Sequence, residues 1–187
     1  IHDRRQRQMC IRDSPDLIAV TGDMVDGSVK HLSKELQPFK NMVARHGTFF
    51  VTGNHEYYSG AESWLDETDR LGMTNLINEH RLITKNGKHI AVAGITDFRA
   101  HQIIKSHRSN PRQAIKSVDN TTTKIMLAHQ PNSIYSVHDA GVDLQLSGHT
   151  HDGTQIYVNR GTGYWGPPLR IGVPAEITLI RLKKSLV

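Results

Sequence analysis

The 187-residue sequence predicts a layered α/β domain in which a sheet core is covered by helices. Three observations lead there. Short apolar runs alternate with helix-length segments through the first half of the chain, and the second half is rich in strand-like runs. Four blocks of metal-ligand residue types also stand directly after strand-like runs: Gly22-Asp23-Met24-Val25-Asp26, Gly53-Asn54-His55-Glu56, His129 and Gly148-His149-Thr150-His151. A rigid sheet that presents loops at its strand ends lets residues far apart in sequence converge.

Residues 1–14 carry no periodicity and are rich in Arg, Gln and Asp, so they are expected to be a disordered or non-native arm outside a single domain spanning 15–187. Order is expected to begin at Asp16, with a buried strand over 17–21 that ends at Gly22. Val29, Leu32, Leu36, Met42 and Val43 recur at helical spacing, Pro38 marks a break or a new first turn, and Gly47 supplies a stop. A second buried strand covers 48–52. Residues 59–71 read as an amphipathic helix closed by Gly72, with Trp64, Leu65 and Leu71 facing the core. Strands at 81–84 and 88–93 flank Asn86-Gly87, a pair suited to a tight hairpin turn. Residues 101–118 are expected to be helical with a break near Pro111. Strands at 124–128 and 143–146 bracket a short helix at 133–138, and an alternating strand over 176–182 closes the domain.

Composition bounds the function loosely. The formal charge of +5 suits an anionic partner, but Arg4, Arg5, Arg7 and Arg12 supply much of it from the arm, so a nucleic-acid-binding reading rests on charge alone. The single cysteine, Cys10, excludes an internal disulfide framework and leaves the compartment open. No window reaches the roughly 18 apolar residues that a membrane-spanning helix needs. Twelve histidines are the more telling number, because imidazole is the commonest metal ligand.

A pair of divalent cations needs a bridging carboxylate surrounded by neutral nitrogen and oxygen donors. Asp23 is the natural bridge. Asn54 can offer its amide oxygen, and His129, His149 and His151 can offer ring nitrogens, a set suited to Mn, Fe, Zn or Ni. In an extended loop His149 and His151 point to opposite sides, so two ions lying side by side could take one each. His55 is then left as a proton donor to a leaving-group oxygen, with Asp26 orienting a ligand or holding the turn.

In their order and residue types these blocks resemble those of the calcineurin-like metallophosphoesterases, and the resemblance runs from Asp16 onward. It implies a four-layer α/β/β/α sandwich of two mixed sheets flanked by helices, with a dinuclear centre at one edge. By that resemblance Asp23 bridges, Asn54, His129 and His149 complete one site, His151 belongs to the other, and His55 assists hydrolysis of a phosphate mono-, di- or pyrophosphate ester. The stretch from Tyr157 to Gly163, continuing at 174–177, is similar to the branch containing membrane-anchored and exported bacterial-type phosphoesterases. That similarity implies small-molecule or lipid-linked substrates, including nucleotide-linked lipid precursors, no nucleic acid, and membrane association through an upstream segment.

One departure sets an expectation of its own. The family's opening Asp-x-His block is absent: His2 precedes Asp3 in reversed order within the arm. The expectation is a fragment lacking the first strand, in which one metal site is nearly complete and the other keeps only Asp23 and His151. An inactive, metal-binding domain is therefore the alternative to an active hydrolase. Arg160 and Arg170 have the fork that grips phosphate oxygens, with a solvated loop position as the simpler reading. Tyr164 and Trp165, between glycines, belong to a loop over the site or to packing at the sheet edge.

Overall fold

A computed structural model describes residues 15–85 and 87–149. Two sheets stack face to face, with helices on both outer faces. The first is three-stranded, ordered β1 (Ile18–Val20), β2 (Thr48–Phe50) and β3 (Met73–Asn75), and its pairings are parallel. The second is mixed and ordered β4 (Glu79–Lys85), β5 (Lys88–Gly94), β6 (Thr123–Ala128) and β7 (Leu144–Ser147); β4 runs antiparallel to β5 and the other pairs are parallel. The hairpin pairs Lys85 with Lys88, the register expected for a tight turn at 86–87.

Side chains alternate across each sheet as period two requires. Phe49 and Val51 point between the sheets to meet Val92, Leu127 and Ile83, whereas Phe50 points outward. Outside the first sheet, Phe50, Val20 and Met73 pack on Trp64 from α3 (Ala61–Arg70) and on Leu71, which caps it, completing the expected core face with a half-buried Leu65. The Trp64 indole N–H donates to the Gly27 carbonyl at 3.0 Å. Outside the second sheet, Ala93, Met126 and Ala128 meet Ala114 from α4 (Pro111–Ala114) and Val137 from α5 (Ile134–Asp139). Four layers result.

Two expected helices are shorter and differently built. Residues 29–43 form one α turn, α1 (Val29–Leu32), and then a 3₁₀ turn over Gln37–Asn41 with Pro38 near its start. Leu36, Phe39 and Met42 reach the core at a spacing of three, which the tighter 3₁₀ turn keeps on one side, and Val43 is 75% exposed rather than buried. Residues 101–118 are likewise not one helix. They hold 3₁₀ turns at Ala100–Gln102 and Lys105–His107 and then α4, whose start is set by Pro111 and by Asn110, its side chain accepting the Gln113 N–H at 3.0 Å. Two elements carried no advance signal: β3, and α2 (Asn54–Tyr58), which begins inside a ligand block. Residues 1–14 and the strand expected over 176–182 lie outside the described residues.

Candidate metal centre

The site forms where the C-terminal ends of β1, β2, β6 and β7 meet. Past Val20 the backbone turns through left-handed conformations at Gly22 (φ +84°) and Asp23 (φ +53°). The Gly22 backbone also lies so close to Gly53 that a Cβ on Gly22 would meet the Gly53 amide, and a Cβ on Gly53 would meet the Asp23 carboxylate. Two glycines therefore let the loops after β1 and β2 touch. A left-handed aspartate costs on the order of 1 kcal/mol, so its surroundings must hold it there.

Glu56 does the holding. It is 1% exposed, and its carboxylate accepts the backbone N–H groups of Asp23 (2.9 Å), Met24 (2.8 Å) and Gly53 (2.7 Å). The Gly53 bond is half of a capping box at the start of α2, and the other two reach across to the neighbouring loop. Burial raises the Glu56 pKa, and the Asp23 charge raises it further. The Asp23 Oδ1 in turn accepts the His55 backbone N–H at 3.0 Å. Sequence reading quoted Glu56 in its block without giving it a task; its place three residues after the Gly53 cap has meaning only once α2 is seen.

His129 is 1% exposed, and its Nδ1 donates to the Thr21 carbonyl at 2.7 Å, which leaves the Nε2 lone pair facing the site. Around that nitrogen stand Asp23 Oδ2 at 3.0 Å, Asn54 Oδ1 at 3.1 Å and His149 Nδ1 at 2.9 Å. His149 is itself left-handed (φ +65°), and the Gly148 N–H before it donates to the His129 carbonyl at 3.0 Å. The ligand atoms of Asp23, His129 and His149 lie within 4.8 Å of one another. Lone pairs gathered so closely repel unless a cation or proton sits among them, so this nitrogen and oxygen set fits a divalent metal ion. In the metal-free site a proton takes that part. Burial alone would raise the Asp23 pKa, but bonds to His129 and His149 outweigh it and hold the carboxyl well below its ordinary range. Burial would lower His129, and the Asp23 carboxylate outweighs it and raises the imidazole.

The His55 ring is oriented by Asp26, whose Oδ1 accepts from Nδ1 at 3.1 Å, and meets the Tyr58 ring edge-on at 5.7 Å between centroids. Beside Asn54 a cleft opens that is also lined by Tyr58, Asp97, Arg99 and Ile103. Asp97, 1% exposed, ties this cleft to the ligand loop: its carboxylate accepts the Arg99 N–H at 2.8 Å and the side-chain amide of Gln130, next to His129, at 2.7 Å. Neither Asp97 nor Gln130 stood out in the sequence. His151, Arg160, Arg170, Tyr164 and Trp165 lie outside the described residues.

The family model for calcineurin-like phosphoesterases matches residues 4–153. The chain belongs to that family. An uncharacterised metallophosphoesterase of Helicobacter pylori (strain 26695) is 37% identical over 89% of this chain and 51% of its own length. A transmembrane protein with a metallophosphoesterase domain from Danio rerio is 31% identical over 92% of this chain and 47% of its own. The chain thus spans about half the length of each relative. Among solved structures, the calcineurin-like phosphoesterase YfkN of Bacillus subtilis superposes with a TM-score of 0.53 at 16% identity, covering 82% of this chain and 64% of that one. Sulfate thiohydrolase SoxB of Thermus thermophilus gives 0.56 at 14% identity, over 83% and 35%. These confirm the calcineurin-like fold. Membership makes this a metal-dependent phosphoester-hydrolysing family, consistent with the ligand group found here.

Proposed function

We propose that the site holds two divalent cations, of Mn, Fe, Zn or Ni, and hydrolyses phosphate mono-, di- or pyrophosphate esters. Asp23, Asn54, His129 and His149 would hold one ion, and Asp23 together with His151 would hold the second. Divalent cations supply charge neutralisation at the phosphoryl oxygens and acidify a water molecule. The protein's share is positional. Glu56 fixes the Asp23 and Asn54 loops against each other, Thr21 fixes the ring of His129, and Asp26 turns His55 so that its other ring nitrogen can hand a proton to the departing alcohol. Arg160 is assigned to a phosphate oxygen. The observation that carries the reading is the convergence of Asp23 Oδ2, Asn54 Oδ1 and His149 Nδ1 on the buried His129 Nε2.

Within that class we extend the reading to esters linking a nucleotide to a lipid precursor, which would bring the intact protein to a membrane. The Danio rerio relative, named as a transmembrane protein, supports the membrane part of that extension. The test is metal content together with turnover of bis-p-nitrophenyl phosphate. Two ions per chain, with turnover lost in Asp23→Asn and His149→Ala, is the expected result. One tightly held ion with no turnover in any of the four metals would replace the hydrolase by the inactive metal-binding alternative.

A further inference from the structure

The segment after β5, between Asp97 and Asp119, is rich in cations. Residues 98–118 contain Arg99, Lys105, Arg108, Arg112 and Lys116 and no aspartate or glutamate, although the whole sequence has 23 basic and 18 acidic residues. All five cations are exposed, and among the described residues none of them is in an ion pair. In the same segment Phe98 and Ile103 expose 48% and 53% of their surface.

The same segment is fastened from beneath. Buried Ala100 packs with Tyr57 and Ala61, and Ile104 lies against them. The Thr96 hydroxyl donates to the His107 carbonyl at 2.8 Å, and His107 Nδ1 meets the Tyr57 hydroxyl at 2.9 Å. Phe98 and Ile103 are thus held outward on an anchored base. Arg99 and Ile103 line the cleft that includes Asn54, so this face borders the metal centre.

We propose that this face seats the protein on an anionic lipid bilayer, with Phe98 and Ile103 entering the interface and the cations resting on phospholipid headgroups. An aromatic ring and an aliphatic side chain in one short segment with Arg99 and Lys105 match an anionic surface that also offers an apolar interior. A nucleic acid would use the same cations and can take apolar side chains between its bases, so displacement by an oligonucleotide is the outcome that decides between the two. The inference goes beyond the hydrolytic reading and does not depend on it, because binding is read without turnover.

The experiment is co-sedimentation of the full chain with vesicles of phosphatidylcholine alone or mixed with phosphatidylglycerol. Partitioning should be at least about tenfold stronger on the anionic vesicles and should weaken as salt rises from about 0.1 M to about 1 M, where the Debye length falls from about 10 Å to about 3 Å. Lys105→Glu should lower it by about fivefold or more. The double variant Phe98→Ser with Ile103→Ser should lower it by about tenfold with an unchanged thermal midpoint, since both side chains are exposed. Asp23→Asn should bind vesicles as the parent does, which keeps this result separate from the fate of the hydrolase reading. Equal partitioning onto neutral and anionic vesicles would overturn the proposal. So would unaltered binding by the double variant together with displacement by a single-stranded oligonucleotide, which would mark a general polyanion patch.

Discussion

Replacing Glu56 by alanine tests the claim that a carboxylate outside the ligand set holds the metal centre together. Three backbone N–H groups, at 2.7, 2.8 and 2.9 Å, would lose their acceptor, a carboxylate that is itself 1% exposed. Each buried, unsatisfied donor costs about 1–3 kcal/mol, so the upper bound is about 9 kcal/mol. The carboxylate is itself an expensive guest, since burial and then the Asp23 charge raise its pKa, and removing it returns part of that cost. The net loss should be about 3–5 kcal/mol, the range for breaking a buried charged network. Urea unfolding of the metal-free protein would measure it. Glu56→Gln is the informative partner. Its amide oxygen can still accept from Asp23 and Gly53 where Oε2 now stands, leaving only the Met24 N–H facing an NH₂ group, so it should lose about 1–2 kcal/mol. Because the Asp23 and Asn54 loops loosen, ion affinity measured by calorimetry should fall about tenfold in Glu56→Gln. An alanine variant within about 1 kcal/mol of the parent, or a glutamine variant as damaged as the alanine one, would refute the reasoning.

Three further outcomes follow from the same geometry. In the metal-free protein the depressed Asp23 contributes stability above its ordinary 3.8 that is lost as pH falls, and the raised His129 contributes stability below its ordinary 6.5 that is lost as pH rises through its folded value. The thermal midpoint of the metal-free protein should therefore peak on the acid side of neutrality, and saturating divalent cation should remove the alkaline decline, because the cation replaces the proton; a midpoint still rising above pH 7 without metal would contradict this. Gly22→Ala places a Cβ against the Gly53 backbone at φ +84° and should lose at least about 2 kcal/mol and most bound metal, as read by thermal melts and elemental analysis. Asp26→Asn leaves the metal ligands alone and should lower kcat about tenfold or more with metal content unchanged; an unaltered kcat would remove Asp26 from any part in orienting His55.

What the sequence made legible follows from the range of the forces involved. Strands over 17–21, 48–52 and 124–128 were readable because a strand buried on both faces must be continuously apolar, and the hairpin at 86–87 because its turn chemistry is local. The helices over 29–43 and 101–118 were not, because core contact needs only a side chain every third or fourth residue. A single 3₁₀ turn with Leu36, Phe39 and Met42 on one side meets that need as well as an α-helix does. The ligand residues were readable as types, since Asp23, Asn54, His129 and His149 sit in blocks, yet what makes them a site is long-range. Thr21 is 108 positions from the His129 ring that it orients. Glu56 reaches 33 positions back to the Asp23 amide. Ligands declare themselves through their own chemistry, whereas groups that aim ligands are ordinary residues made important by position, so Glu56, Asp97 and Gln130 had to wait for the fold. The same asymmetry says where change is most costly to repair: exchanging one ligand for another donor alters one bond to the ion, while losing Glu56 releases two loops and every donor they carry.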